Sequence, residues 1–225
     1  ATGYTGRLVA EYLAHHYQGS GPKWAMAGRS AAKLAEVRDL IGAPADTPLI
    51  VANSDDPASM QALAEQARVI VTTVGPYQLY GEPLLSACVA AGTDYADLCG
   101  EPVWMRQMVD ALHDQAKETG ARVAFSSGFD SIPFDLGVFM LQQEAKARFG
   151  APAPRVKCRV RAMVGGFSGG TAASGRATMA AIQRWISGRI SKISSIALPM
   201  TAAASYQCPL ARSLSAANSS GERGK

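Results

Sequence analysis

Three observations predict an α/β fold: a doubly wound parallel sheet lacking its first strand, followed by part of a second α+β domain. Residues 1–150 alternate short β-rich runs with helical runs, the pattern of a parallel sheet flanked by helices. The clearest run, Val69-Ile70-Val71-Thr72-Thr73-Val74, is β-branched or apolar throughout, as in a parallel strand covered on both faces. The chain opens on Ala1-Thr2-Gly3-Tyr4-Thr5-Gly6 and runs straight into the amphipathic pattern Arg7–Ala14, as a strand-to-helix turn of such a sheet does.

The elements follow in order. Lys23–Gly28 reads as a strand, and Ala31–Ile41 as a helix capped by Ser30 with Leu34, Val37 and Ile41 on one face. Leu49–Ala52 is the next strand, followed by a helix from Pro57 to Gln66 that places proline where no N–H is needed. After Val69–Val74 come helices over Pro83–Ala91 and Pro102–Thr119, separated by a short extended piece at Asp94–Asp97. Val123–Ser126 completes the strands of the first domain. The register changes near Gly150: Ala151-Pro152-Ala153-Pro154 resembles a hinge, and Arg155–Met163 alternates charged and apolar residues as a half-exposed strand does. Gly165–Gly170 reads as a turn before a helix from about Ala173 to Ile186, and Ser213–Lys225 as disordered. The domains are therefore expected at 1–150 and 151–225.

Composition narrows the function classes. The 225 residues are 48% hydrophobic, enough for one large core or two modest ones. The longest uncharged stretch, Ile193–Ala211, is broken by two prolines and diluted by polar residues, so no bilayer span is expected. Cys88, Cys99, Cys158 and Cys208 lack metal-ligand spacing, which favours reduced thiols and a cytoplasmic location. Residues 1–150 hold 11 Lys/Arg against 17 Asp/Glu, a net of −6, whereas residues 151–225 hold 11 against 1, a net of +10. The basic residues alternate singly with apolar ones and lack aromatic interleaving, which argues against nucleic acid. They leave a peripheral membrane contact open.

The opening turn carries chemistry. Gly3 and Gly6 let backbone pass close to a pyrophosphate, and the helix that follows aims its unpaired N–H groups and positive dipole end at the same phosphates. Thr2, Gly3, Tyr4, Thr5 and Gly6 are accordingly the candidate phosphate-binding residues. Arg29 follows the second strand, where an acidic residue would hold the ribose 2′-hydroxyl of NAD; a guanidinium there suits a 2′-phosphate, with Ser30 and its helix start assisting. The alternative is a surface arginine closing a turn. Val74, Gly75, Pro76 and Tyr77 sit at the carboxyl end of the clearest strand, where open α/β sheets bind ligands, and complete the cofactor-site candidates.

These blocks resemble the saccharopine dehydrogenase-like oxidoreductases, and within them the bacterial trans-acting enoyl reductases. The matching residues are Ala1–Gly6, Trp24–Ser30, Val74–Pro83, Cys99-Gly100-Glu101 and Ser127–Gly137. The first motif glycine is absent, and Asn53 stands where relatives commonly carry aspartate. The resemblance implies a fragment of a protein near twice this length and NADP as cofactor. It further implies reduction of a carbon–carbon double bond in an acyl or polyketide-derived lipid precursor. A small-molecule or acyl-lipid substrate and a homodimer are the expected partners. A saccharopine-reductase-type substrate (an imine or amino-acid derivative) stays open, as does a non-catalytic nucleotide-binding scaffold at membranes or lipid bodies.

No residue is assigned to proton transfer. No tyrosine is followed four residues later by lysine, and Tyr77, Tyr80, Asp97, Glu101 and Asp130 are the polar groups near the expected cleft. Asp130 and Glu101 read equally well as helix-start residues. Cys99 reads as a buried small residue, His15-His16 as the end of the first helix without a metal, and Met105, Met108, Val109 and Leu112 as a core stripe.

Overall fold

A computed structural model describes residues 1–17, 21–162, 164, 166 and 169–190. The chain divides into a unit spanning Ala1–Gln183 and a second spanning Arg184–Lys225, and only the end of one helix in the second is described. The elements are α1 (Tyr4–His16), β1 (Met26–Gly28), α2 (Ala31–Leu40), β2 (Leu49–Val51), α3 (Pro57–Glu65), β3 (Val69–Thr72), α4 (Tyr77–Ala91), β4 (Asp94–Asp97), α5 (Pro102–Thr119), β5 (Val123–Ala124), α6 (Ile132–Phe149) and α7 (Gly169–Ile190).

Every strand pairing is parallel. β1 pairs with β2 in the register Met26 to Leu49, and β4 lies between β3 and β5, with Ile70 opposite Tyr95 and Tyr95 opposite Val123. The doubly wound sheet thus exists as two pieces, β1-β2 and β3-β4-β5. The start of the chain touches both. The Ala1 nitrogen donates to the Ala27 carbonyl on β1, while a Cβ on Gly6 would lie 3.1 Å from Thr73 Oγ1, one residue past β3. Asp94–Asp97, expected only as a short extended piece, is the central strand of the second sheet.

Two cores match the two sheets. Ala10, Met26, Leu34, Val37 and Ile41 join α1, β1 and α2. Met60, Leu63, Leu84, Leu85, Val89, Tyr95, Trp104 and Met108 join α3, α4 and α5 to the larger sheet. Burial of each large apolar side chain in these cores contributes about 1.5–3 kcal/mol. Trp104 packs so closely on α4 that a Cβ on Gly81 would lie 2.7 Å from its ring. Local chemistry marks the helix ends: Ser30 Oγ caps α2, Asp56 caps α3 through Ala58 N at 3.0 Å, and Gly92, Gly120 and Gly150 close α4, α5 and α6 at positive φ.

Several expectations are revised. α4 begins at Tyr77, six residues earlier than the pattern suggested, because Pro83 is accommodated inside the helix. β3 is not covered on both faces: Ile70 packs on the core, but Val69 and Val71 are 55% and 56% exposed. The core packed on β3 belongs to α3–α5, whose mutual contacts place them together, and no described element covers Val69 and Val71. The run 155–162 forms no strand, since no described segment offers it a ladder of backbone partners. Met163, Gly165, Phe167 and Ser168 of the expected strand and turn, and the expected disorder of Ser213–Lys225, lie outside the described residues. Of the stripe on α5, Met108 is buried and Met105 and Leu112 pack on the core, but Val109 is exposed.

Candidate cofactor site

The start of α1 has the properties of an anion seat. Gly3 is its N-cap residue, in extended conformation, and no side chain caps the helix. The first turn holds no acidic residue, so its unpaired amides and the positive dipole end are opposed by nothing local. Gly6 is buried, and a side chain there would press on Ala1 at 3.1 Å as well as on Thr73. Its lack of Cβ is what lets α1 lie against the tip of β3. Gly3 has nothing within 4 Å of where a Cβ would stand, so its surroundings are open.

β1 ends beside this turn. A Cβ on Gly28 would lie 3.8 Å from the Ala1 nitrogen and 3.3 Å from Leu34 on α2. Arg29 follows it and is exposed, and Ser30 accepts from Lys33 N at 3.4 Å. A cavity of about 400 Å³ lies between α1 and α2. Its lining includes Thr2, Gly3, Tyr4, Arg7, Lys33 and Glu36. Arg7 and Lys33 were not singled out from the sequence; their basic character close behind two helix starts was the available signal.

The loop after β3 follows Thr73, the residue beside Gly6. Val74 is exposed, with its N–H on Thr72 Oγ1 at 3.3 Å, and the Gly75–Pro76 peptide is cis with Pro76 as N-cap residue of α4. Tyr77 behaves differently from a ligand-facing residue. Its ring is buried beside Trp104, and its hydroxyl donates to Thr72 O at 3.2 Å and accepts from Leu98 N at 3.2 Å. Burial raises its pKa well above that of an ordinary tyrosine. Tyr77 therefore ties the tips of β3 and β4 together, and only its backbone borders the loop.

Two buried carboxylates organise the same edge of the sheet. Glu101, 3% exposed, is the N-cap residue of α5, yet its side chain serves α4: Oε1 accepts from Tyr77 N at 2.9 Å and Oε2 from Gln78 N at 2.8 Å. Asp97, 0% exposed, accepts from Cys99 N at 2.9 Å, Ser126 N at 2.9 Å and Tyr95 Oη at 3.0 Å. Desolvation raises its pKa even though these donors oppose the shift. Ser126, held at φ 54°, returns its hydroxyl to the Cys99 carbonyl. Cys99 is buried, its Sγ accepts from Glu101 N at 3.3 Å, and burial pushes its thiol up to about 12. It is a structural thiol. Asp130 is exposed and caps nothing, since α6 starts at Ile132 with Ser131 as its N-cap residue and no side-chain cap. His16 stacks on Tyr12 with ring centroids 3.9 Å apart.

The start of the chain thus lies beside the end of β1, through Ala1 and Gly28, and Gly6 lies beside Thr73 just past β3. The profile of the saccharopine dehydrogenase NADP binding domain matches residues 1–123. The chain belongs to this family. The cofactor of the family domain is NADP, and the uncapped α1 and the side-chain-free Gly3 and Gly6 fit its pyrophosphate. A protein named trans-acting enoyl reductase from Mycobacterium bovis is 50% identical over 146 residues, covering 64% of this chain and 34% of that protein. A protein of the same name from Mycobacterium leprae is 50% identical over 142 residues, 63% of this chain and 34% of its own. A Mycobacterium tuberculosis relative is 49% identical over 175 residues, 77% of this chain and 41% of that one. The chain thus spans between a third and about two fifths of the curated relatives it matches. Among solved structures, the saccharopine dehydrogenase (L-Glu forming) of Saccharomyces cerevisiae superposes with a TM-score of 0.52 at 14% identity, over 65% of this chain and 30% of that one. That likeness establishes the Rossmann-type fold of the family domain.

Proposed function

We propose that this chain is the NADP-binding part of an oxidoreductase that reduces a carbon–carbon double bond of an acyl or polyketide-derived lipid precursor. The observation that carries the reading is the uncapped, acid-free start of α1, set beside the end of β1 and next to Thr73 past β3. The names of the relatives at 49–50% identity support the choice of reaction. NADPH, when bound, supplies the hydride.

The residues of the chain bind and orient. Thr2–Gly6 seat the pyrophosphate with backbone amides, Arg29 and Ser30 meet the phosphorylated ribose, and Val74, Gly75 and Pro76 border the nicotinamide half. A carbon that gains hydride becomes carbanion-like and needs a proton. Tyr77 cannot give it, because its hydroxyl is committed inside the core. Tyr80, one turn further along α4, is 41% exposed and its hydroxyl makes no hydrogen bond among the described residues, so it is the proton-donor candidate of this segment. Residues 151 onward begin the substrate domain in this reading. The exposed Arg155, Lys157, Arg159 and Arg161 support a peripheral contact with an anionic lipid surface.

The test is NADPH oxidation by the full-length protein with a long-chain enoyl thioester. Turnover, with loss of NADPH binding in Arg29→Asp, supports the proposal. Tight NADPH binding without oxidation of any enoyl thioester removes the reductase reading and leaves the nucleotide site standing.

A further inference from the structure

α7 lies beyond residue 150, yet its first turns belong to the unit that holds both sheets, Ala1–Gln183. Ser174, on the second turn of α7, shows where they sit. A Cβ on Gly75 would lie 3.2 Å from Ser174 Oγ and 3.4 Å from the Tyr77 ring, so the missing side chain of Gly75 is what lets the hydroxyl reach the loop after β3. A serine inside a helix ordinarily points to water or bonds the carbonyl one turn back. Ser174 does neither: it is half-buried, and its hydroxyl makes no hydrogen bond among the described residues. Tyr77 and Glu101, which meet the same loop, spend their polar atoms inside the fold. The Ser174 hydroxyl gives up part of its hydration and receives no protein partner in return, the condition of a group that a ligand completes.

We infer that Ser174 is a catalytic residue of the proposed reduction, its hydroxyl donating to the carbonyl oxygen of an enoyl thioester substrate. This rests on the reading that Val74–Pro76 border the nicotinamide half of the cofactor and that the substrate is such a thioester. Ligands of open α/β sheets lie beyond the carboxyl ends of the strands, and the loop after β3 leaves one of those ends. A substrate seated at this loop meets the residue that α7 brings against Gly75. When hydride from NADPH bonds to the β-carbon, the π pair of the double bond moves to the α-carbon and the carbonyl oxygen. The substrate is then an enolate, and the cofactor is oxidised to NADP. The α-carbon next takes a proton, for which Tyr80 is the candidate, and the carbonyl re-forms. Negative charge gathers on the oxygen only during this passage, so a donor aimed at it stabilises the transition state more than the bound substrate. A serine hydroxyl suits the task because it donates one hydrogen bond and stays neutral.

The experiment compares Ser174→Ala and Ser174→Thr with wild type in the full-length protein. It measures NADPH binding, thermal unfolding, steady-state reduction of a long-chain enoyl thioester, and binding of the matching saturated thioester. Ser174→Ala is expected to lower kcat about 10²-fold, the usual effect of losing one donor to an oxyanion. KM and the affinities for NADPH and the saturated thioester should stay within about twofold of wild type, because the contact matures only in the transition state. The thermal midpoint should not fall, since alanine is the better helix former. Ser174→Thr keeps the hydroxyl and should recover most of the turnover. A kcat in Ser174→Ala close to that of wild type overturns the role of Ser174 while the reductase reading stands. So does a loss confined to KM, to NADPH affinity or to the thermal midpoint, which is what a merely structural serine would give, and so does turnover in Ser174→Thr as low as in Ser174→Ala. A wild type that reduces no enoyl thioester overturns this role and the reductase reading together.

Discussion

Glu101 holds Tyr77 by its backbone, from 24 residues away. One carboxylate oxygen accepts from the Tyr77 amide at 2.9 Å and the other from the Gln78 amide at 2.8 Å, at the start of α4. The helix whose own cap residue is Pro76, which offers no side-chain acceptor, is thus capped from the start of its neighbour. The loop that borders the proposed nicotinamide position is fixed by this contact, so Glu101 acts as a positioning residue.

Removing it should cost stability first. Glu101→Ala leaves one buried and one half-buried amide without acceptors and is expected to destabilise the fold by about 2–3 kcal/mol in a denaturant titration. Glu101→Gln keeps one oxygen acceptor and should recover part of that loss. Equal stability of Glu101→Ala and wild type would show that the cap contributes nothing.

The two tyrosines of the α4 start should separate cleanly. Tyr77→Phe leaves the Leu98 amide without its partner and is expected to lower stability by about 1–2 kcal/mol while turnover persists. Tyr80→Phe removes an exposed hydroxyl, so stability should hold and the turnover rate should fall 10²-fold or more if it gives the proton, by the usual size of general acid catalysis. Single-turnover kinetics with unfolding curves reads both effects, and full activity in Tyr80→Phe rules that residue out.

Gly3→Asp should trade function for stability. Gly3 sits at the cap position in an ordinary extended conformation with open space around it. An aspartate there would cap α1 and is expected to add about 0.5–1 kcal/mol. The same carboxylate occupies the proposed pyrophosphate seat, so NADPH binding should be lost. Undiminished NADPH affinity in this variant would move the phosphates elsewhere.

Acid sensitivity should reside partly at Asp94. The Arg122 guanidinium and backbone N–H hold its carboxyl below the ordinary carboxylate range. A depressed folded pKa means that the stabilisation is present above the unfolded value of about 3.9 and is lost as pH falls through the folded one. Arg122→Ala should therefore flatten the fall in thermal midpoint below about pH 4. Because the arginine is largely exposed, the effect should be small and should shrink further in high salt. An identical acid limb in both proteins would place the acid-sensitive groups elsewhere.

Much of the fold was legible because its signals are local. Ser30 and Asp56 are helix caps by their own chemistry, Gly92 and Gly120 end helices by tolerating positive φ, and the β-branched run at Val69 can scarcely be anything but a strand. Legible in the same way were the glycine turn at Gly3 and Gly6 and the arginine one strand on. The start of α4 was not, because Pro83 reads as a helix start when only neighbours in sequence are considered. The run at Arg155 shows the converse: alternation suits one face of a sheet, but no partner strand is described beside it.

What the amino-acid sequence determined by itself was the order of elements, the family and the residues at the turns, since caps, periodicity and glycine positions act over a few residues. Only the tertiary structure decided what the polar groups do. Tyr77, Asp97, Glu101 and Cys99 look alike as candidates along the chain, yet each spends its polar atoms inside the fold, bridging the ends of β3, β4 and β5 and the start of α4. Arg7 and Lys33, unremarkable in the chain, meet across one cavity. The reason is physical: a buried polar atom must find a partner or forfeit its hydration, and the partner is supplied by whichever segment folding brings alongside.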